Sequence, residues 1–180
     1  LLLDGGEGND TLLLSGTSYG VPRALLSGGA GDDELTIEIN VRDASMTGGE
    51  GIDTFVLTEA NVENAEYWDS TYGLTSSTLI ITDFEVGEGG DVLDIGAFVD
   101  TDYLSGYSSG NPFHPDNGYL RFSQIGSSDD SLLEIDRDGA SGSTYSWLPV
   151  VELASVDVDT ISAWNTSLGR RVVGDSLAFT

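Results

Sequence analysis

The chain has 180 residues, 39% of them hydrophobic, which is enough for one ordinary domain or two closely joined small ones with a real core. It carries 31 acidic residues against 6 basic ones, a formal charge of −25, so it should repel nucleic acid and anionic membranes and oppose its own compaction unless a cation joins it. Without cysteine and with a single histidine, His114, it excludes disulfides, thiolate sites and histidine-cluster zinc, and hard cations liganded by oxygen remain.

In chain order, the first elements are three copies of the pattern Gly-Gly-x-Gly-x-Asp-x-apolar-x: GGEGNDTLL from Gly5, GGAGDDELT from Gly28 and GGEGIDTFV from Gly48. The first six positions of each copy predict a loop, because glycines accept positive φ and let carbonyls crowd inward, while the aspartate supplies a carboxylate. The last three predict a short strand in which Leu12, Leu35 and Phe55 share an offset and face inward together. Stacked at the strand spacing of about 4.8 Å, the loops would set Asp10 against Asp33 and Asp33 against Asp53, an arrangement that needs a cation between each pair. One loop has too few oxygens for calcium, which takes six to eight at roughly 2.3 to 2.6 Å, whereas two stacked loops have enough.

These residues resemble the RTX (haemolysin-type calcium-binding) repeats of bacterial proteins exported by type I secretion. The resemblance implies an all-β fold, a right-handed parallel β-roll (β-solenoid) with calcium between turns. In that family a full turn takes two nonapeptides, so loops on one edge recur about every 18 residues; here Gly5, Gly28 and Gly48 are 23 and 20 apart. The stretches LSGTSYGVPRALLS and IEINVRDASMT then read as degenerate second halves, giving one intact edge and one eroded edge. Carried over residue by residue, the resemblance implies a first calcium site from Gly6, Gly8, Asp10, Gly28, Ala30 and Asp33. A second would use Gly29, Gly31, Asp33, Gly48, Glu50 and Asp53, with Glu50 lending its carbonyl. Asp43 is a weak candidate for a site on the eroded edge.

The repeats stop after Phe55, and residues 58–75 read as an irregular polar connection with a short helical turn around EANVENAEYW. Next, STLIITDFEVGEGGDVLDIGAFV reads as two strands joined by an acidic glycine turn. It resembles the segment that closes the roll in many RTX proteins; Asp83, Asp91 and Asp94 are there either for a further ion or for turn chemistry. From Gly118 the runs YLRFSQI, SLLEIDRDG, WLPVVELASV and RVVGDSLAFT predict strands of an antiparallel cap, which a solenoid needs to cover its last open edge. VDVDTISAWNTSLG interrupts them as a candidate helix. This succession resembles the C-terminal region of large RTX adhesins and haemolysin-type proteins, where the uncleaved export signal lies.

Other motifs read more simply. DRDG, Asp136 to Gly139, opens like a calcium loop but lacks the later glutamate of an EF-hand, so a hairpin turn is expected. GTSYG, Gly16 to Gly20, matches a hydrolase elbow in letters, yet Ser18 has neither the preceding α/β sheet nor the following helix. His114, between two prolines, reads as a loop residue. Tyr67, Trp68, Tyr72, Tyr103 and Tyr107 read as packing over the eroded edge, or else as a sugar-binding face.

The expected organisation is a β-roll over 1–58, a connection with roll-closing strands over 59–100, and a C-terminal cap with the secretion region over 101–180. The chain opens in mid-pattern, as expected of a piece of a longer protein. The expected function is a non-enzymatic, calcium-binding region of a secreted or cell-surface bacterial protein, an adhesin first among parents, folding on calcium after export. Its expected partners are calcium ions, the type I secretion machinery and the remainder of the parent, without nucleic acid or membrane insertion. The alternatives are a polysaccharide- or ice-binding module and an accessory domain of an exported enzyme such as a protease, lipase or alginate epimerase.

Overall fold

A computed structural model describes residues 1–16, 21–39, 41–72, 79–99 and 103–167. The repeat pattern produces a two-sheet parallel roll. Each repeat feeds a strand of the first sheet, passes through its glycine loop, and continues as a strand of the second. Thus β1 (Leu2–Glu7) leads to β2 (Thr11–Ser15), β3 (Val21–Ala30) to β4 (Glu34–Glu38), and β5 (Val41–Glu50) to β6 (Thr54–Val56). The strands β1, β3 and β5 pair in parallel, as do β2, β4 and β6. The register sets Leu12 opposite Leu35 and Leu35 opposite Phe55, as their shared offset predicts.

The roll extends past the point where the sequence repeats end. β7 (Leu79–Ile81) pairs in parallel with β5, and β8 (Val92–Asp94) with β6, so the run ITDFEVGEGGDVLD makes a fourth turn around the same core. The two strands lie in opposite sheets and do not form a hairpin. A fifth layer follows from far along the chain. β11 (Leu148–Leu153) lies parallel to β7, and β12 (Thr166–Ser167) lies parallel to β8. The expected antiparallel strands are present as β9 (Leu120–Gln124) and β10 (Ser131–Ile135), which extend the first sheet outward from β11. The architecture is therefore all-β and largely parallel, roll-like, with little helix.

The core is the space between the two sheets. Leu26, Met46, Ile81 and Leu153 from one sheet and Leu35, Phe55, Leu93 and Ile95 from the other are essentially inaccessible. Each such side chain contributes about 1.5 to 3 kcal/mol of burial, which is what offsets the charge of the loops.

Two helical expectations need correction. Residues 59–72 form a full α-helix, α1 (Glu59–Tyr72), where the sequence suggested one turn. Its start is fixed by Thr58, whose N–H donates to Asn61 Oδ1 at 2.7 Å, and its inner face buries Val62 and Ala65. Around 156–167 there is no α-helix, only the 3₁₀ turns Val158–Thr160 and Ala163–Asn165. The Asp157 side chain caps the first of these, but β-branched residues and the tertiary bonds of Asn165 hold the chain extended thereafter. A short helix α2 (Gly96–Val99) follows β8, with Gly96 N–H donating to Asp94 Oδ1. The expected final strand over 171–180 lies outside the described residues.

Candidate metal edge

All the repeat loops fall on one edge of the roll, and their aspartates form a ladder. Asp10 N–H donates to Asp33 Oδ1 at 2.8 Å, and Asp33 N–H donates to Asp53 Oδ1 at 2.9 Å. Asp53 N–H continues to Asp91 Oδ1 at 2.9 Å, so Asp91 of the fourth turn is the fourth rung. Sequence reading left Asp91 open between a further ion and turn chemistry. The signal that could have found it is its offset, one residue before a buried strand, as for the other three.

Asp33 and Asp53 each accept a ladder bond on Oδ1 and leave Oδ2 without a donor, and Asp10, which enters the ladder through its N–H, also leaves Oδ2 without one. Asp10 Oδ2, Asp33 Oδ2 and Asp53 Oδ2 are buried and unpartnered, while Asp33 and Asp53 as residues are 2% and 0% exposed. Such atoms cost several kcal/mol when nothing compensates them. Backbone oxygens lie beside two of them. A Cβ placed on Gly5 would be 2.7 Å from Asp10 Oδ2 and 2.5 Å from the carbonyl oxygen of Gly28. One on Gly28 would be 2.3 Å from Asp33 Oδ2 and 2.6 Å from the carbonyl oxygen of Gly48. The glycines at these two positions leave open a cradle in which a carboxylate of one turn and a carbonyl of the next converge.

The remaining candidate residues fall in the same stack. Gly6 and Gly8 direct their carbonyl oxygens at Gly29 and Gly31, where added Cβ atoms would sit 2.1 and 2.6 Å from them. The carbonyls of Gly29 and Gly31 stand in the same relation to Gly49 and Gly51. The carbonyls of Ala30 and Glu50 accept hydrogen bonds from Gly8 N–H and Gly31 N–H at 2.7 Å each. A second lone pair on each remains. Among the described residues no three His, Cys, Asp or Glu side chains converge on one point, so any ion on this edge must draw on backbone carbonyls.

Electrostatically the edge is unrelieved. Among the described residues the ion pairs are Arg42 with Asp43, His114 with Asp116, Arg121 with Glu134 and Arg137 with Glu66, and none touches the ladder. Burial pushes the Asp53 carboxyl up to about 6, and the charges of Asp91, Asp33 and Asp83 add to it against the bond from Asp33 N–H. Burial likewise raises Asp91. The donor set is one of hard oxygens only, which suits a calcium-like cation and not zinc.

The opposite edge is closed by α1 instead. Asn61 Nδ2 donates to the Ile37 carbonyl at 2.9 Å and Asn64 Nδ2 to the Val41 carbonyl at 2.8 Å. Asp43 is exposed beside Arg42. Tyr103 and Tyr107 pack against the core, whereas Tyr67 is exposed; the side chains of Trp68 and Tyr72, and Ser18 of the GTSYG motif, lie outside the described residues. Asp136 to Gly139 opens a wide loop between β10 and β11, not a tight hairpin, and Asp138 closes it by accepting from Thr144 N–H at 2.7 Å. Asp94 Oδ1 accepts from Gly96 N–H at the start of α2, and His114 stays in its loop, where Nδ1 accepts from Asp116 N–H.

Fold and edge together define a parallel β-roll with an uncompensated stack of buried aspartates along one side. No family model and no curated protein matches the chain. It is similar to the solution structure of the AlgE6R3 subunit of the Azotobacter vinelandii mannuronan C5-epimerase, at 18% identity and a TM-score of 0.40, over 96% of this chain and 86% of that one. At that distance the reading of the site rests on this chain's own geometry.

Proposed function

We propose that this chain is a non-catalytic, calcium-dependent roll module of a larger secreted bacterial protein. The observation that carries the reading is the row of buried, unpartnered oxygens on Asp10, Asp33 and Asp53, two of which meet a carbonyl of the following turn. The first ion would use Gly6, Gly8, Asp10, Gly28, Ala30 and Asp33. The second would use Gly29, Gly31, Asp33, Gly48, Glu50 and Asp53. Calcium supplies the positive charge that lets the stacked carboxylates remain ionised and buried.

The chain's own residues set the response. Where free calcium is low, repulsion along the ladder and the freedom of the loop glycines keep the repeat turns loose, a state suited to passage through a narrow exporter. Where calcium is millimolar, binding and folding of those turns become one event, because the cradles exist only when the turns are stacked. Type I secretion and the domain division at residues 58 and 100 belong to this proposal. The comparisons give an adhesin parent no support, so the parent we retain is the broader one, a larger exported protein in which this roll is an accessory module.

Titrating calcium into chelator-treated protein, while following far-ultraviolet circular dichroism and thermal stability, tests the reading. Ordered β signal and a rise in melting temperature are expected. No change in either up to several millimolar overturns it.

A further inference from the structure

We infer that the groove between α1 and the loop 136–147 binds an arginine-bearing segment of a partner protein, holding its guanidinium groups between tyrosine rings and carboxylates. The site lies away from the aspartate ladder, and the inference does not rest on the calcium reading.

The groove, about 930 Å³, is lined from two sides. On α1, Glu63, Glu66 and Tyr67 share one face, with Asp69 further along the same helix. Opposite, Asp138 accepts from the N–H groups of Thr144 and Tyr145 and so fixes the loop that presents Tyr145 and Trp147. A space of that size is at the upper end of ligand sites and takes more than one side chain.

The protein's own arginines show what this environment holds. Arg137 Nη1 donates to Glu66 Oε1 at 3.1 Å, while its guanidinium lies 4.0 Å from the Tyr103 ring centre and 4.9 Å from that of Tyr145. Arg121 repeats the arrangement: Nε donates to Glu134 Oε2 at 2.7 Å, and the guanidinium lies 4.2 Å from the Trp147 ring centre. A ring face and a carboxylate together favour a planar guanidinium over an ammonium.

These two arginines leave the groove short of positive charge. Glu134, which lines it, is 7% exposed; Arg121 and Ser123 both donate to its Oε2, and Oε1 has no donor among the described residues. Glu63 and Asp69 enter no ion pair among the described residues. Tyr67 and Tyr145 are 43% and 44% exposed, so ring surface remains for a further cation. Acidic residues alone would not mark a site. Here a nearly buried carboxylate oxygen without a donor stands in a preformed groove beside half-exposed rings, and the partner it calls for is positive. The carboxylates outside ion pairs reject an anionic segment by the same charge.

Isothermal titration calorimetry of the full chain in calcium, at about 0.15 M salt to suppress diffuse attraction, tests this with a capped Gly-Arg-Gly-Arg-Gly peptide, its lysine counterpart and a glucosamine tetramer. One arginine peptide per chain is expected, bound about fivefold more tightly than the lysine peptide. Glu63→Gln with Asp69→Asn should weaken it about tenfold, whereas Asp116→Asn with Asp129→Asn, the same change of charge on exposed loops, should weaken it less than about twofold. Tyr145→Ala should abolish the preference for arginine over lysine. Equal affinity for the two peptides, tighter binding of the glucosamine tetramer, equal losses in the two double variants, or no binding of the arginine peptide each overturns the proposal, and a preference that survives Tyr145→Ala overturns the role of that ring. If a variant does not fold, the ranking of the three probes on the unaltered protein decides.

Discussion

Replacing Asp33 by asparagine separates the two consequences of a buried carboxylate stack, since it removes charge while keeping shape. Asparagine retains an Oδ1 that can accept from Asp10 N–H, and its new amide can donate to the Gly48 carbonyl that now lies beside the unpartnered Oδ2. Two like charges about 4.8 Å apart, the strand spacing, repel by about 3 kcal/mol at an effective dielectric near 20. Asp33 has such neighbours on both sides, Asp10 and Asp53, so the metal-free variant should be more stable than the parent by about 3 kcal/mol or more. In calcium the order reverses. Two ions at about a hundred times their dissociation constants stabilise the parent by about 5 kcal/mol in all, equivalent to roughly 10 to 20 °C for a chain of this size. Asp33 is placed in both sites, so the variant should lose most of that gain. The assay is thermal denaturation of parent and variant, each in chelator and in calcium at about a hundred times the dissociation constant. A calcium-induced shift in Asp33→Asn equal to that of the parent would refute the reasoning, as would a variant less stable than the parent in chelator.

Protonation should mimic the metal. The Asp53 carboxyl is raised in the fold to about 6 from 3.8, so the ionised form penalises folding above pH 6, and the penalty of about 3 kcal/mol disappears as pH falls toward 4. Urea denaturation in chelator should therefore show stability rising from pH 7 to pH 5, and in calcium the trend should flatten or invert because protons then compete with the ion. Gly49 has φ near +112° and faces the Gly29 carbonyl, at 1.9 Å from where a Cβ would sit, so Gly49→Ala should cost about 3 kcal/mol or more, read as a lower urea midpoint in calcium. Asn165→Ala should cost about 2 to 4 kcal/mol, since it strips donors from the Glu85 and Asp91 carbonyls and an acceptor from Gly87 N–H; here the loss should be equal in chelator and in calcium.

The repeat turns were legible because three independent signals coincide at each: the glycine offsets, the aspartate, and an apolar residue at the same later position. That is why the inward stack of Leu12, Leu35 and Phe55 follows from spacing alone. The fourth turn was legible as a pair of roll-closing strands, but the fifth was not legible as a turn, because its contacts lie far apart in the chain. β11 reaches β7 across more than sixty residues, and Asn165 bonds to Glu85, Gly87 and Asp91 across 80, 78 and 74 positions. No local pattern reports a pairing at that range. The α1 helix was underestimated for a related reason. Its surface is nearly all polar, so sequence periodicity is weak, and what orders it is Val62, Ala65, Asn61 and Asn64 docking on an edge the sequence had already marked as eroded.

On the proposed reading, the dependence on cations falls at one end of the roll. In the fourth loop Asp91 has both oxygens satisfied by amides, and the fifth replaces the aspartate motif with Asn165, a neutral side chain that donates to the Glu85 and Asp91 carbonyls and accepts from Gly87 N–H of the fourth loop. β9 to β11 add strand pairing, and Arg137 ties them to α1 through Glu66 at 3.1 Å. That end has an apolar core, and the loop side chains Asp91 and Asn165 are answered by amides and carbonyls of the protein itself. In the first three turns the core is equally apolar, but each carries a buried carboxylate oxygen that the described protein atoms leave unanswered. The eroded edge does not share the problem, because Asn61 and Asn64 of α1 satisfy carbonyls there without charge. One side and one end of the roll are thus closed by side chains, and on the proposed reading the repeat loops are the part whose order waits on an ion. A chain arranged this way would keep a structured nucleus next to turns that calcium completes, so the transition that calcium controls is the addition of Asp10, Asp33 and Asp53 to a roll already begun.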